Sequence, residues 1–301
     1  MIPEPLAAGL RAHGFRGRLL GQAPLAPLTT WRIGGAADLL ARPENIEDVR
    51  LAVDWAGITG LPWRVMGNGS NLLVADQGVR GVVIQLRRTL DERERTEEGF
   101  RVGAGHSFPH LAREAAAEGL GGLEFAAGIP GTVGGAVVMN AGWHEFEIAA
   151  SIVTVRTLSP QGALQDHPVD DCELSYRHSR FRRSGEIVLS AELRLRREDP
   201  AGIVQRMERF ATSRKQNQPT ELPSCGSVFL KPPGDFAGRL IEAAGWKGRR
   251  IGNLQVSPKH ANFFVNLGGA TAAEALELVE RVEQDVLDRF GVRLVREFEC
   301  W

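Results

Sequence analysis

Two glycine-rich segments carry the residue types that bind phosphate oxygens. The first runs Gly67-Asn68-Gly69-Ser70-Asn71-Leu72, and the second runs from Gly128 to Gly135 and on to Asn140-Ala141-Gly142. Glycine in regular structure costs roughly 0.5–1 kcal/mol relative to alanine, so these bare segments indicate that another group approaches the main chain closely. Exposed N–H groups in such loops bind phosphate oxygens. The alternative is a set of tight turns at a sheet edge.

Neither segment belongs to the two commonest nucleotide-binding motifs. The first lacks the third glycine of the dinucleotide fingerprint, and no helical pattern follows it at once. No Gly-Lys-Ser/Thr follows, so it is not a Walker loop either. The sequence therefore predicts two phosphate-type loops outside both of these folds.

Three side chains have types that suit acid–base or anion chemistry. Arg177 follows the only tyrosine, Tyr176, and a guanidinium can clamp a carboxylate or phosphate with two hydrogen bonds. Ser227 stands on a bare turn, where a hydroxyl can donate a proton or bind an oxyanion. Glu297 lies in the predicted final strand, where an inward carboxylate is costly unless it is paired or useful. The alternatives are an exposed basic turn, an ordinary turn and a carboxylate that points to solvent.

The lysines are few and clustered. All of them fall within residues 215–259, and a compact ammonium suits a phosphate. Lys215 and Lys231 are therefore candidate anion ligands. The alternative is a bias towards arginine that left a few lysines by chance.

Composition excludes several classes of protein. The chain has 301 residues, 43% hydrophobic and 24% charged, with a net charge of −1, so nucleic-acid binding is not expected. Neither a signal peptide nor a membrane span is recognisable. Cys172, Cys225 and Cys300 are far apart and odd in number, which predicts reduced thiols, no metal site and a cytoplasmic protein.

Hydrophobic periodicity places these residues on an alternation of helices and strands. Thr271 and Glu274 fit a capping box, and Gly291 fits the end of the helix behind it. The pattern predicts helices over 44–57, 108–118, 203–215, 236–244 and 271–290, and strands over 63–66, 82–86, 152–158, 187–196 and 292–300.

Several of these motifs occur together, and in one order, in a known family. They are Thr29–Gly35, Gly67–Leu73, Gly128–Gly142, Tyr176-Arg177, Gly226–Phe229, Lys259–Asn262 and the terminal Glu297. In this constellation the chain resembles the UDP-N-acetylenolpyruvoylglucosamine reductase family of flavoenzymes in peptidoglycan precursor synthesis. The resemblance covers residues from about 25 to 298.

The resemblance implies an α+β fold. It consists of a two-lobe FAD-binding region of the vanillyl-alcohol-oxidase/PCMH type plus a C-terminal α+β substrate domain. FAD-binding lobe 1 would span 1–90, lobe 2 would span 91–200, and the substrate-binding domain would span 201–301. The family fold also allows the last strand, 292–301, to pack on lobe 2.

The resemblance also implies the chemistry and its residues. NADPH would reduce the bound FAD, and hydride would then pass from flavin N5 to the enolpyruvyl methylene carbon. Ser227 would donate the proton, while Arg177 and Glu297 would stabilise the developing negative charge. The pKa of Glu297 would have to be raised for this role. Tyr176, Lys215, Lys231 and Asn262 would bind the UDP-sugar. The implied FAD ligands are Gly67, Asn68, Gly69, Ser70, Asn71, Leu72, Gly105, Gly128, Ile129, Pro130, Gly131, Thr132, Gly134, Gly135, Asn140, Ala141 and Gly142.

The chain departs from the commoner family pattern at several positions. Leu28 stands where asparagine is frequent, and Glu299 stands where arginine is usual. Leu230-Lys231-Pro232 stands where Lys-Asn-Pro is usual, so Lys231 replaces an asparagine. Only about ten residues separate Phe181 from the strand near Leu189–Leu193, which leaves no room for a capping tyrosine loop and points to the shorter subclass. A monomer is favoured, although the sequence does not fix the oligomeric state. The other hypotheses are a FAD-dependent oxidase of the same fold and a sugar-nucleotide sensor with a degenerate flavin site.

Overall fold

The computed structural model describes residues 4–301, which form two compact units. The first unit comprises residues 4–22, 38–68 and 80–212, and the second comprises residues 23–37, 69–79 and 213–301. Each unit has its own hydrophobic core. The segment Gly67–Leu72 is divided, since its first two residues belong to the first unit and the rest to the second. The division into regions 1–90, 91–200 and 201–301 stays a prediction.

Each helix predicted from the sequence is present within a few residues of its expected bounds. Helix α2 is capped at both ends: the Asn45 side chain accepts a hydrogen bond from the N–H of Asp48, and Gly60 closes the helix with φ of 66°. The helices of residues 4–301 are α1 (Glu4–Ala12), α2 (Ile46–Thr59), α3 (Phe108–Ala117), α4 (Val133–Val138), α5 (Pro200–Asn217), α6 (Ala237–Ala243) and α7 (Ala272–Phe290). None of them combines the length and apolar character that a membrane crossing needs.

The strands are short, and most pair within small sheets. They are β1 (Arg18–Pro24), β2 (Ala36–Arg42), β3 (Trp63–Met66), β4 (Leu72–Leu73), β5 (Val79–Gln85), β6 (Arg93–Arg95), β7 (Gly99–Gly103), β8 (Leu120–Gly121), β9 (Gly142–Trp143), β10 (Phe146–Glu147), β11 (Ile152–Leu158), β12 (Leu164–Pro168), β13 (Ile187–Arg194), β14 (Arg196–Arg197), β15 (Arg250–Ile251), β16 (Leu254–Val256), β17 (Phe264–Asn266) and β18 (Glu299–Cys300).

The first unit is built on two larger sheets. One has the order β1-β2-β5-β3, and β3 runs parallel to β5 with Trp63 opposite Val82. The other has the order β12-β11-β13-β7-β6 and is antiparallel throughout. Phe100 on β7 and Leu193 on β13 face each other and are buried, together with Phe108 of α3, in one core. This sheet and α3 form the support for the second glycine segment.

The second glycine segment is not a loop throughout. Residues Val133–Val138 form α4, whose first turn begins at Thr132. This helix was not predicted from the sequence, because glycine is a poor helix former. The threonine side chain offsets part of that cost by accepting a hydrogen bond from the Gly135 N–H.

The second unit packs α6 and α7 with a small antiparallel sheet of order β15-β16-β17. Helix α7 begins with the predicted capping box of Thr271 and Glu274 and ends at Gly291, with φ of 67°. Trp31, from the N-terminal third of the chain, is fully buried in this core with Phe229 and Phe264.

The predicted final strand over 292–300 is only partly present. Its regular part is β18, which pairs in parallel with β4, so that Glu299 lies opposite Leu72. Earlier in the segment, Arg296 forms an isolated bridge with Phe229. The segment changes its pairing partner between these points, so its pairing is interrupted and only Glu299–Cys300 form a regular strand.

Candidate active site

The two glycine segments meet in the first unit, at Gly67 and Thr132. A Cβ placed on Gly67 would overlap the Thr132 hydroxyl oxygen and come within 3.2 Å of its Cγ2. Thr132 is only 2% exposed, and its hydroxyl also accepts from the Gly135 N–H at 3.4 Å. The absence of a side chain at position 67 therefore lets the first segment lie directly against the N-terminus of α4.

Much of the backbone at the start of α4 is used by the protein itself. The Val133 N–H donates to the His106 carbonyl and the Gly134 N–H to the Ala104 carbonyl, both at 2.9 Å. Among the hydrogen bonds of residues 4–301, neither the Gly131 N–H nor the Thr132 N–H has a protein acceptor. A bound anion would therefore find its main-chain donors at Gly131 and Thr132 rather than along the whole segment.

Two of the predicted flavin-binding glycines have structural reasons of their own. A Cβ on Gly134 would approach the Ala104 Cβ to 2.8 Å, and one on Gly105 would overlap the carbonyl oxygens of Leu86 and Thr89. Internal packing thus requires glycine at both positions, whatever binds outside. Their role as FAD ligands stays a prediction.

Asn140 and Arg177 are held together in the first unit. Asn140 is fully buried, and its side-chain amide donates to Glu147 Oε2 at 2.7 Å and to the Ser175 carbonyl at 3.0 Å. Arg177 donates from Nη1 to the Asn140 carbonyl at 3.2 Å and from Nη2 to the Gly142 carbonyl at 2.8 Å. The guanidinium of the predicted catalytic arginine is thus fixed by the Asn-Ala-Gly motif.

In the second unit, the rest of the first glycine segment lies against the Thr29–Gly35 motif. The Thr30 N–H donates to the Gly69 carbonyl at 3.1 Å. The Thr30 hydroxyl oxygen is buried, yet it has no hydrogen-bond partner within residues 4–301. A buried hydroxyl without a partner costs about 1–3 kcal/mol, so Thr30 is a ligand candidate. Thr30 lies in the Thr29–Gly35 motif that supports the resemblance, but it was not among the predicted site residues.

Glu297 is held on both sides by its main chain. Its N–H donates to the Val228 carbonyl at 2.9 Å, and its carbonyl accepts from Asn71 Nδ2 at 3.1 Å. The Asn71 carbonyl in turn accepts from the Glu299 N–H at 2.9 Å. We call Asn71, Val228 and Glu297 the tripartite frame. It brings a residue of the glycine segment, the neighbour of Ser227 and the predicted acid together.

The Asn262 side chain forms hydrogen bonds with the backbone beside this frame. It is buried, its Oδ1 accepts from the Phe229 N–H at 3.0 Å, and its Nδ2 donates to the Phe229 carbonyl at 2.8 Å. Its own carbonyl accepts from the Val228 N–H at 2.8 Å. The amide that was predicted to bind the UDP-sugar is thus engaged with the backbone beside Ser227. Its role as a substrate ligand stays a prediction.

Cys225, two residues before Ser227, lies in an apolar environment. Burial raises the pKa of the Cys225 thiol well above its ordinary value, and the charge of Glu297 raises it further. Cys225 therefore stays a neutral thiol at physiological pH and is not a nucleophile.

The other predicted substrate ligands lie on the surface of their units. Tyr176 is 51% exposed, and the Arg177 guanidinium lies 5.1 Å from its ring centroid. In the second unit the Lys215 carbonyl accepts from Lys259 Nζ, and Lys231 Nζ lies 4.5 Å from the ring centroid of the exposed Phe236. Their positions suit contact with a large ligand, and their binding roles stay predictions.

Each unit, considered by itself, fits a phosphate-containing cofactor. The first unit offers the Gly131 N–H beside the close contact of Gly67 with Thr132. The second unit offers the buried Thr30 hydroxyl beside Gly69. Donors on bare backbone and a buried hydroxyl without a protein partner are what a pyrophosphate requires.

This fold and these donors define a FAD-binding protein. The family model described as "FAD binding domain" matches residues 37–167, and the one described as "UDP-N-acetylenolpyruvoylglucosamine reductase, C-terminal domain" matches residues 218–301. A solved structure, UDP-N-acetylenolpyruvylglucosamine reductase (MurB) from Thermus caldophilus, superposes with a TM-score of 0.81 at 38% identity, covering 95% of this chain and 99% of that one.

Curated relatives agree with these models. UDP-N-acetylenolpyruvoylglucosamine reductase from Heliobacterium modesticaldum is 45% identical over 94% of this chain and 90% of its own length. The enzyme of the same name from Moorella thermoacetica is 45% identical over 98% of this chain and 97% of its own length. The chain belongs to the UDP-N-acetylenolpyruvoylglucosamine reductase family. The predicted family, the α+β FAD-binding fold and FAD as the bound cofactor are confirmed.

Proposed function

We propose that this chain reduces UDP-N-acetylenolpyruvoylglucosamine to UDP-N-acetylmuramate with NADPH, as a cytoplasmic flavoenzyme of peptidoglycan precursor synthesis. The observation that carries the proposal is the tripartite frame, in which Asn71 and Val228 hold the main chain of Glu297 with hydrogen bonds of 3.1 and 2.9 Å. A segment that fits FAD is thereby tied to an acid and to the neighbour of a hydroxyl proton donor.

The residues have separate roles in this reaction. Bound FAD, reduced by NADPH, supplies the hydride that is added to the enolpyruvyl methylene carbon. Negative charge then builds up on the carbon and carboxylate next to it, and Arg177 and a protonated Glu297 stabilise that charge. Ser227 Oγ donates its proton to the adjacent carbon. Tyr176, Lys215, Lys231 and Asn262 contact the UDP-sugar.

Three finer properties belong to the same proposal. The preference is for NADPH over NADH, the protein is a monomer, and it belongs to the shorter subclass without a capping tyrosine loop. The short connection from Phe181 to β13 supports the last point, because only residues 182–186 lie between them.

An anaerobic absorbance measurement tests the overall reaction. We expect NADPH to bleach the flavin band and added UDP-N-acetylenolpyruvoylglucosamine to restore it. A band that recovers only when oxygen is admitted would favour an oxidase of the same fold. Folded protein that never acquires a flavin band when supplied with FAD would favour a sensor.

The proton-donor role of Ser227 is tested with Ser227→Ala. We expect flavin reduction by NADPH to stay near the wild-type rate and reoxidation by the sugar nucleotide to slow about 10²–10⁴-fold, the usual contribution of general acid catalysis. Ser224→Ala, three residues earlier on the same turn, is the matched control. Equal slowing of both half-reactions in Ser227→Ala would remove the proton-donor role.

A further inference from the structure

Asn140 uses its side chain almost completely within the protein. Both amide hydrogens are donated, to Glu147 Oε2 at 2.7 Å and to the Ser175 carbonyl at 3.0 Å, and Oδ1 accepts from the Ala149 N–H at 3.2 Å. An asparagine amide has two hydrogens to donate and two lone pairs to accept with. Little capacity is left for a cofactor, so the side chain of this predicted FAD ligand has another purpose.

Asn140 contacts both the turn that carries Arg177 and the guanidinium of Arg177. Ser175 and His178 exchange two main-chain hydrogen bonds, of 3.1 and 2.9 Å, and Arg177 stands on the turn that they close, with φ of 53°. Asn140 holds the base of this turn through the Ser175 carbonyl and holds the tip of the same arginine through its own carbonyl, at 3.2 Å from Nη1. One residue thus fixes both the backbone and the guanidinium.

The backbone of Asn140 also fits this arrangement. Its φ is 42°, in the left-handed region that asparagine tolerates better than most residues. The carbonyl is turned towards Arg177 in this conformation, while the side chain returns to Glu147 and Ser175. A residue that could not adopt this φ would lose both interactions together.

We propose that Asn140 is a positioning residue for Arg177. It sets the direction of the guanidinium, and Glu147 keeps the Asn140 amide in the orientation that this requires. The inference deepens the proposed function and rests on the role given there to Arg177. According to this inference, the asparagine of the Asn-Ala-Gly motif positions the arginine that stabilises negative charge on the substrate, and its side chain does not bind the flavin.

The substitution Asn140→Asp tests the proposal with almost no change of shape. The new carboxylate oxygen would face Glu147 and the Ser175 carbonyl, which are both acceptors, so both contacts become repulsive. We expect reoxidation by the sugar nucleotide to slow about 100-fold, as for a displaced catalytic group, and flavin reduction by NADPH to change little. Asn140→Gly keeps the positive φ and removes the side chain, and it decides the case if Asn140→Asp does not fold.

A double-mutant cycle with Arg177→Ala separates positioning from a general structural effect. If Asn140 acts through Arg177, its substitution should slow reoxidation much less in the Arg177→Ala background than in the wild type. Multiplicative slowing would overturn the positioning role while leaving the proposed function intact. His144→Gly is the matched control, because His144 is an exposed residue of the same segment with φ of 55°.

A chemical readout makes the test independent of turnover. Phenylglyoxal modifies arginine side chains, and mass spectrometry gives the modification rate of each one. We expect Arg177 to be modified several-fold faster in Asn140→Asp and Asn140→Gly than in wild-type or His144→Gly protein. If phenylglyoxal modified Arg177 at the wild-type rate in both Asn140 variants, the inference would be wrong, whatever their rates of substrate reduction.

Discussion

At the residue scale, the glycines of the two segments are needed for different reasons. Gly67 is bare because the Thr132 hydroxyl occupies the space of its side chain, and Gly134 because the Ala104 methyl does. Gly135 is exposed and has only ordinary space around it. The type of residue alone, which is all the sequence offers, does not distinguish a glycine required by packing from one required by a ligand.

The buried Thr30 hydroxyl is a candidate ligand for a cofactor phosphate that only the structure reveals. We expect Thr30→Val to weaken FAD binding by about 10- to 150-fold, because a hydrogen bond to a charged phosphate contributes roughly 1.5–3 kcal/mol. The same substitution should leave the FAD-free protein as stable as before or slightly more stable, because a buried hydroxyl without a partner is removed. FAD titration followed by fluorescence and thermal unfolding of the apoprotein measure the two effects.

A matched threonine provides the control for that experiment. Thr59 donates its hydroxyl to the Trp55 carbonyl at 2.7 Å near the end of α2. Thr59→Val should therefore lower the melting temperature slightly and leave FAD affinity unchanged. Unchanged FAD affinity in Thr30→Val would show that the Thr30 hydroxyl does not contact the cofactor.

At the element scale, the Thr29–Gly35 motif lies beside elements that come much later in the chain. Trp31 Nε1 donates to the Phe264 carbonyl at 2.9 Å, and Asn266 Nδ2 donates to the Trp31 carbonyl at 3.0 Å. The Trp31 ring also meets Phe298 edge-on, with centroids 5.4 Å apart. Residues 23–37 thus belong to the second unit, beside elements more than 200 positions later in the chain.

The contact of Gly67 with α4 gives an element-scale prediction. Gly67→Ala should displace the first glycine segment from Thr132, because overpacking typically costs 1–3 kcal/mol. We expect a lower melting temperature and weaker FAD binding. Gly57→Ala is the control: Gly57 lies within α2 with open space at its Cβ, and alanine there should stabilise the protein by roughly 0.5–1 kcal/mol. Equal stability of the two variants would contradict the close contact.

At the scale of the whole molecule, the sequence predicted the elements better than their partners. Helices such as α2 and α7 were predictable because capping residues and apolar periodicity are local signals. The tripartite frame was not, because Asn71 and Glu297 are joined by a hydrogen bond across 226 positions of the chain. The residues of the candidate site were predicted through the family resemblance and stay predictions, whereas the roles proposed for Thr30 and Asn140 required coordinates.

The response of the whole chain to acid is predictable in two stages, with His260 controlling the first. Burial lowers the pKa of His260 below its ordinary value of 6.5, and its Nδ1 must stay unprotonated to accept from the Asn262 N–H at 3.2 Å. The folded state therefore binds the proton less readily than the unfolded state. Its stability is complete above pH 6.5 and falls as the pH drops from 6.5 through the lowered pKa of His260.

The second stage belongs to paired carboxylates and begins at lower pH. A hydrogen bond from Arg239 lowers the pKa of Asp235 from 3.8 to about 2, so the stability it contributes is present above pH 3.8 and lost on the way to pH 2. We expect melting temperatures measured from pH 8 to 2 to decline gently below pH 6.5 and to fall further below about pH 4. His260→Gln, which keeps an acceptor for Asn262, should remove only the gentle decline, and His144→Gln should remove neither. A His260→Gln profile identical to the wild-type profile would show that another group controls the first stage.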